Sequence, residues 1–206
     1  MIIIKKWVAV AAIALSSSTV FAADISLLGS SLIDTTATTK TFTSGSISVV
    51  ASAPVSGALI AQSTNGLGVK VDALDGNDFD ACCSFTGAVA NESMKFTFNA
   101  PVTIGGISFN SWDNGIDNVK LTSGATSITL TQSTSGGGLS SPSKFIFSSP
   151  LQLSSFTLTT NGSILVSTRV ASLLNVNPVA TVPLPAAAWL MGSALMGLFG
   201  VKRKKR

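Results

Sequence analysis

Apolar residues alternate with polar or small ones at a period of two over residues 94–98, 104–109, 127–131, 144–147, 156–159 and 163–170. Successive side chains of a strand point to opposite faces, so this pattern predicts half-buried β-strands. Turn-forming residues separate the runs: Asn114-Gly115, Ser123-Gly124, Gly136-Gly137-Gly138, Ser149-Pro150 and Asn161-Gly162. Asn-Gly is the sharpest short-range hairpin signal among them. No stretch before residue 184 holds an apolar stripe at helical spacing. The expected body is all-β, an antiparallel β-sandwich or jelly roll over residues 23–171, in which each sheet hides one face on the other. Residues 136–143 read as a surface loop and 172–181 as a linker, because Gly, Ser, Pro and Asn dominate there.

The two ends follow different rules. Residues 1–22 begin with Lys5 and Lys6, continue through an apolar stretch from Trp7 to Leu15, and finish at Val20-Phe21-Ala22 with small residues at the −3 and −1 positions. This three-part order predicts an export signal cut after Ala22, since the apolar stretch falls well short of the roughly 20 residues of a spanning helix. Residues 184–201 carry no charge, and Lys202, Arg203, Lys204, Lys205 and Arg206 follow at once. As a helix that stretch extends about 27 Å, near the hydrocarbon thickness. It predicts one C-terminal transmembrane helix, with the five cations held on the cytoplasmic side. In Val182-Pro183-Leu184-Pro185 two prolines fix φ and withhold two donors, which forces an extended segment at the membrane surface.

Charge sharpens this division. Of 206 residues only 11% are charged, and seven of the thirteen Lys and Arg lie in the two terminal segments. Residues 23–181 hold six cations against nine acids, a net charge of −3. Six scattered cations supply no basic stripe for phosphates, so a nucleic-acid reader is excluded. There is no His. Histidine-dependent nucleophile systems and His-containing zinc sites are therefore absent as well.

The VPLP element, the Ala-rich start with Trp189, the Gly-punctuated apolar span and the terminal Lys/Arg cluster together resemble the PEP-CTERM sorting signal in its VPLPA variant. The match covers residues 182–206, with Leu184 where Glu is usual. The resemblance implies recognition by an exosortase, a membrane-embedded cysteine transpeptidase, and removal of the span and basic tail. It further implies an exported protein of a Gram-negative bacterium, held briefly in the inner membrane and delivered to the cell surface or to an exopolysaccharide or biofilm matrix. A structural or adhesive role is then expected, with no catalytic activity. The alternatives are a periplasmic glycan-binding module kept on the inner membrane, and a carbohydrate-active enzyme.

Within the body, the densest polar cluster runs from Asp72 through Asp75, Asn77 and Asp78 to Asp80, followed by Glu92, the only Glu. Clustered oxygen ligands suit calcium, so Asp75, Asp78, Asp80 and Glu92 are the candidate metal residues, although the spacing is not that of an EF-hand. A solvated turn explains the same composition. Trp112, Asp113, Asn114 and Asp117 form the candidate glycan site, where an indole face stacks on a sugar ring and polar groups hold its hydroxyls. The competing role for Trp112 is packing at the end of a sheet. Gly66-Leu67-Gly68-Val69, the acidic run ending at Asp80, Asn91-Glu92, Phe96-x-Phe98, Trp112-Asp113 and Asp117-Asn118 also resemble body domains carried by PEP-CTERM proteins. That resemblance implies a β-sandwich and directs attention to Asp80, Glu92, Asp113 and Asp117. Cys82 and Cys83 leave three outcomes open: a strained vicinal bridge, a bridge to a second molecule, or one buried and one exposed thiol. The vicinal bridge is favoured, because an exposed thiol outside the cell oxidises.

Overall fold

A computed structural model describes residues 22–30, 34–71, 76–79, 91–112, 118–130, 143–161 and 168–179. They form an all-β, antiparallel structure with no helix among them. The strands are β1 (Ala23–Ser26), β2 (Asp34–Ala37), β3 (Thr39–Ser44), β4 (Ile47–Ser52), β5 (Leu59–Ser63), β6 (Gly66–Lys70), β7 (Ser93–Asn110), β8 (Val119–Ser123), β9 (Thr126–Leu130), β10 (Ser143–Thr160) and β11 (Arg169–Pro178). Hydrogen bonding orders them β2-β5-β6-β11-β7-β10-β8-β9, with β1 on β11, β3 on β4 and β4 on β7.

The long pair β7–β10 organises the rest. β7 changes neighbours along its length: residues 95–98 pair with β4 and residues 102–110 with β11. Two opposed irregularities permit the change. Residues 98–101 of β7 face only Ser154, and residues 147–150 of β10 face only Gly105. Each extra loop of strand contains a proline, Pro101 or Pro150, and proline is tolerated at such bulges because the ladder is already broken there. Ser149-Pro150, expected to be a turn, therefore bends one strand instead of joining two. The Ser123-Gly124 turn does join β8 to β9, with Gly124 at φ 56°.

The alternation seen in the sequence becomes the core. Met94, Phe96 and Phe98 turn inward on β7 and meet Phe156 and Leu158 of β10, with Phe96 stacked on Phe156 at 4.8 Å. Burying each such ring contributes about 2–3 kcal/mol. β3 lies against β1 and β5, and β4 against β5, without hydrogen-bonding to them, so the sheet folds over a single apolar cluster.

The expected linker is corrected at its start. Residues 172–178 are strand, and Leu173 and Val176 are fully buried. Asn175, Asn177 and Pro178 made this stretch look like a tether, but Asn175 takes a left-handed φ of 51°, a conformation Asn adopts more readily than most residues. Its amide is held by Asp24 Oδ1 at 2.8 Å.

Candidate functional site

The part of the acidic run that the structure describes, residues 76–79, is fastened to the sheet by a glycine-cut notch. β5 and β6 form a hairpin in which Gly66 has φ 120°, a region open essentially to glycine alone. A Cβ on Gly66 would stand 2.4 Å from the Val170 carbonyl oxygen, and one on Gly68 would stand 2.1 Å from that of Asn77. With both Cβ positions vacant, the Val69 amide donates to the Asp78 carbonyl at 2.8 Å and the Phe79 amide to the Thr168 carbonyl at 2.8 Å. Phe79 is then sealed in the core. Gly68→Ala is expected to cost about 2–3 kcal/mol, because backbone atoms must yield, and to lower the thermal midpoint by roughly 5–10 °C. Circular dichroism melts check this, and an unchanged midpoint would show that the notch is not tight.

Asp78 completes the clasp. Its carboxylate pairs with the Arg169 guanidinium, whose Nη1 also donates to Ser63 Oγ at 3.1 Å. Arg169 is 8% exposed and is the only Arg between residues 23 and 181. Burial of so large a cation needs a fixed partner, and Asp78 supplies it. Asn77 beside it has its Oδ1 buried without a hydrogen-bond partner.

The other candidate residues are not gathered around this point. Glu92 is 2% exposed and precedes β7, where its amide donates to Thr160 Oγ1 at 2.9 Å and its carbonyl accepts from the Thr160 amide at 3.0 Å. Arg169 stands opposite Asn110, at the other end of β7. Asp78 and Glu92 thus occupy opposite ends of one long strand, and Asp78 already serves a guanidinium. Among the described residues no group of three or more His, Cys, Asp or Glu is placed to hold a metal. Asp75, Asp80, Cys82 and Cys83 lie outside the described residues, as do Asp113, Asn114 and Asp117.

Trp112 corrects the picture of an open platform. It is 7% exposed, with its ring centroid 5.0 Å from Phe109 and 4.6 Å from Phe145, the latter edge-on. Phe109 and Phe145 meet edge-on themselves at 5.4 Å, which closes a three-ring cluster. The indole is a packing element at the end of β7, and its Nε1 is buried without a partner. Arg169 and Ser63 had no place among the expected site residues, although a lone Arg in an apolar run was a legible signal.

The expected export signal, sorting motif Val182-Pro183-Leu184-Pro185, span and basic tail lie outside the described residues, and within those residues no helix is long and apolar enough to cross a membrane. Comparison with known proteins finds no matching family model, no matching curated protein and no matching solved structure.

Proposed function

We propose that the chain is an exported surface or extracellular-matrix protein whose body is a jelly-roll-like β-sandwich. A signal peptide starts its export, a PEP-CTERM-type tail arrests it in the inner membrane, and an exosortase removes residues beyond about Pro185. The role is structural or adhesive, in contact with exopolysaccharide, and the reading assigns the body no catalysis. The two-layer form is supported by β3 and β4 lying over β1 and β5 around one core.

One observation carries the reading. β1 begins at Ala23, directly after the cut expected from the sequence, and β11 ends at Pro178, with Ala23 paired to Val176. Both terminal segments therefore leave the body side by side, at one end. This arrangement suits a chain led and trailed by membrane-directed segments, since a single end of the body then faces the bilayer that both segments enter. From Val179 to Leu184 an extended chain reaches about 17 Å, close enough to keep the folded body near the surface while the motif is gripped.

Intact-mass measurement on material from the native host tests the proposal. The expected product begins at Ala23 and ends near Pro185. A product that retains Lys202–Arg206 would reject processing and leave a body anchored permanently on the periplasmic side.

A further inference from the structure

We propose that the body binds a short neutral glycan segment in a hydroxyl-floored groove on the outer face of β1, β11, β7 and β10. The proposal deepens the adhesive part of the reading above and rests on it for the ligand class. Its test reads sugar binding alone, whereas sorting is read from the mass of the chain.

The groove is a cavity of about 430 Å³ between described strands. Sites for small ligands fall in this range. Its floor follows from register. Lys144 of β10 stands opposite Ser108 of β7, Ser108 opposite Ser172 of β11, and Ser172 opposite Ser26 of β1. Ile107 and Phe109 point into the core, so Ser108 and Asn110 point the other way, into the cavity. Strands lie about 4.8 Å apart, so the row from Lys144 to Ser26 spans about 14 Å.

The depth profile is that of a trough. Ser108 is 2% exposed and Ala171 and Leu174 are 5% exposed on the floor, while Asp24, Ser26, Leu28 and Lys144 at the margins are exposed. Ser108 Oγ and Ser172 Oγ share a hydrogen bond of 2.6 Å. One hydroxyl donates in that bond, so the pair still offers one O–H and several lone pairs to a ligand. Ala171, Leu28 and Leu174 supply apolar surface beside these hydroxyls. A sugar has the matching composition, with hydroxyls that both donate and accept on its edges and C–H groups on its faces.

Other ligand classes fit less well. Extended peptides bind sheets by backbone pairing at an edge, whereas the hydroxyl floor of this groove lies on the face between the edges, at Ser108 and Ser172 of β7 and β11, which are paired on both sides. A strongly charged ligand finds one cation and one anion, Lys144 and Asp24, on the two outer strands of the four. Their charges cancel and select for neither sign.

The test titrates the full-length protein in detergent with cellohexaose, laminarihexaose and isomaltohexaose, read by calorimetry. Binding of at least one hexasaccharide is expected. The double substitution Ser108→Ala/Ser172→Ala removes both partners of one hydrogen bond, so it should leave the thermal midpoint nearly unchanged while weakening binding about tenfold or more. Ser26→Trp, at the exposed margin, keeps the question answerable should the double variant misfold, and it is expected to block the trough. No binding of any hexasaccharide at millimolar concentration overturns the proposal, and so does binding that Ser26→Trp and the double variant leave intact.

Discussion

Trp112→Ala lowers the thermal midpoint by roughly 10 °C or more, the equivalent of about 3–5 kcal/mol for removal of a buried aromatic side chain. The indole is enclosed with Phe109 and Phe145, so its loss leaves a cavity that two neighbouring rings, each fixed in its own strand, cannot collapse to fill. Trp112→Phe should behave differently. It keeps most of the edge-on ring contact and deletes an Nε1–H that is buried with no acceptor. Loss of volume is thereby partly offset by removal of an unsatisfied donor, and the net cost should stay within about 1.5 kcal/mol. Thermal unfolding of the two variants beside the parent decides the matter. A ligand platform would show the reverse order of sensitivities, with stability untouched by Trp112→Ala and sugar binding lost; that result would return the indole to the surface.

The strands that the sequence displays are those where large apolar residues alternate with exposed polar ones. Met94, Phe96 and Phe98 on β7 and Phe156 and Leu158 on β10 mark inward positions without ambiguity. β3 and β4 have the same period, but Thr, Ser, Val and Ala offer little contrast between faces, and only Phe42 stands out in β3. β6 hides for another reason. Leu67 and Val69 face the core, but the alternate positions are Gly66 and Gly68, covered by the backbone of Val170 and of Asn77–Asp78, so no polar side chain marks the other face and the period of two is lost. The bend at Ser149-Pro150 and the strand through Asn175–Pro178 show turn-forming residues overruled by tertiary pairing, in one case by a bulge and in the other by β7 and β1 on either side of β11.

The candidate site was legible in composition and illegible in partnership. The Asp cluster is visible in the sequence, where neighbouring carboxylates suggest a cation from outside, and Asp78 is the one of its carboxylates that lies among the described residues. Asp78 instead meets a cation from its own chain, 91 residues on at Arg169. No local pattern encodes that distance. Trp112 misled in the same way, since its sequence neighbours are polar while its spatial neighbours are two phenylalanines.

Asp78→Asn should cost about 3 kcal/mol, toward the lower end for a broken buried pair because the carboxylate retains some contact with water. The guanidinium keeps Ser63 Oγ but loses its counter-charge in a site where it is almost fully enclosed. Arg169→Met should cost less, about 1–2 kcal/mol, since methionine fills the buried stem and the abandoned carboxylate can turn outward. If the two groups act on each other, the double variant falls short of the sum by about 1–3 kcal/mol. Chemical denaturation of the four proteins measures this, and additivity to within about 0.5 kcal/mol would mean that the pair does not couple. Calcium supplies an independent reading of the same contact. With Arg169 in place the carboxylate already has its cation, so any stabilisation by millimolar calcium should be larger in Arg169→Met than in the parent. A parent that gains more from calcium than Arg169→Met does would assign Asp78 to the metal, and the clasp to the Gly66–Gly68 notch alone.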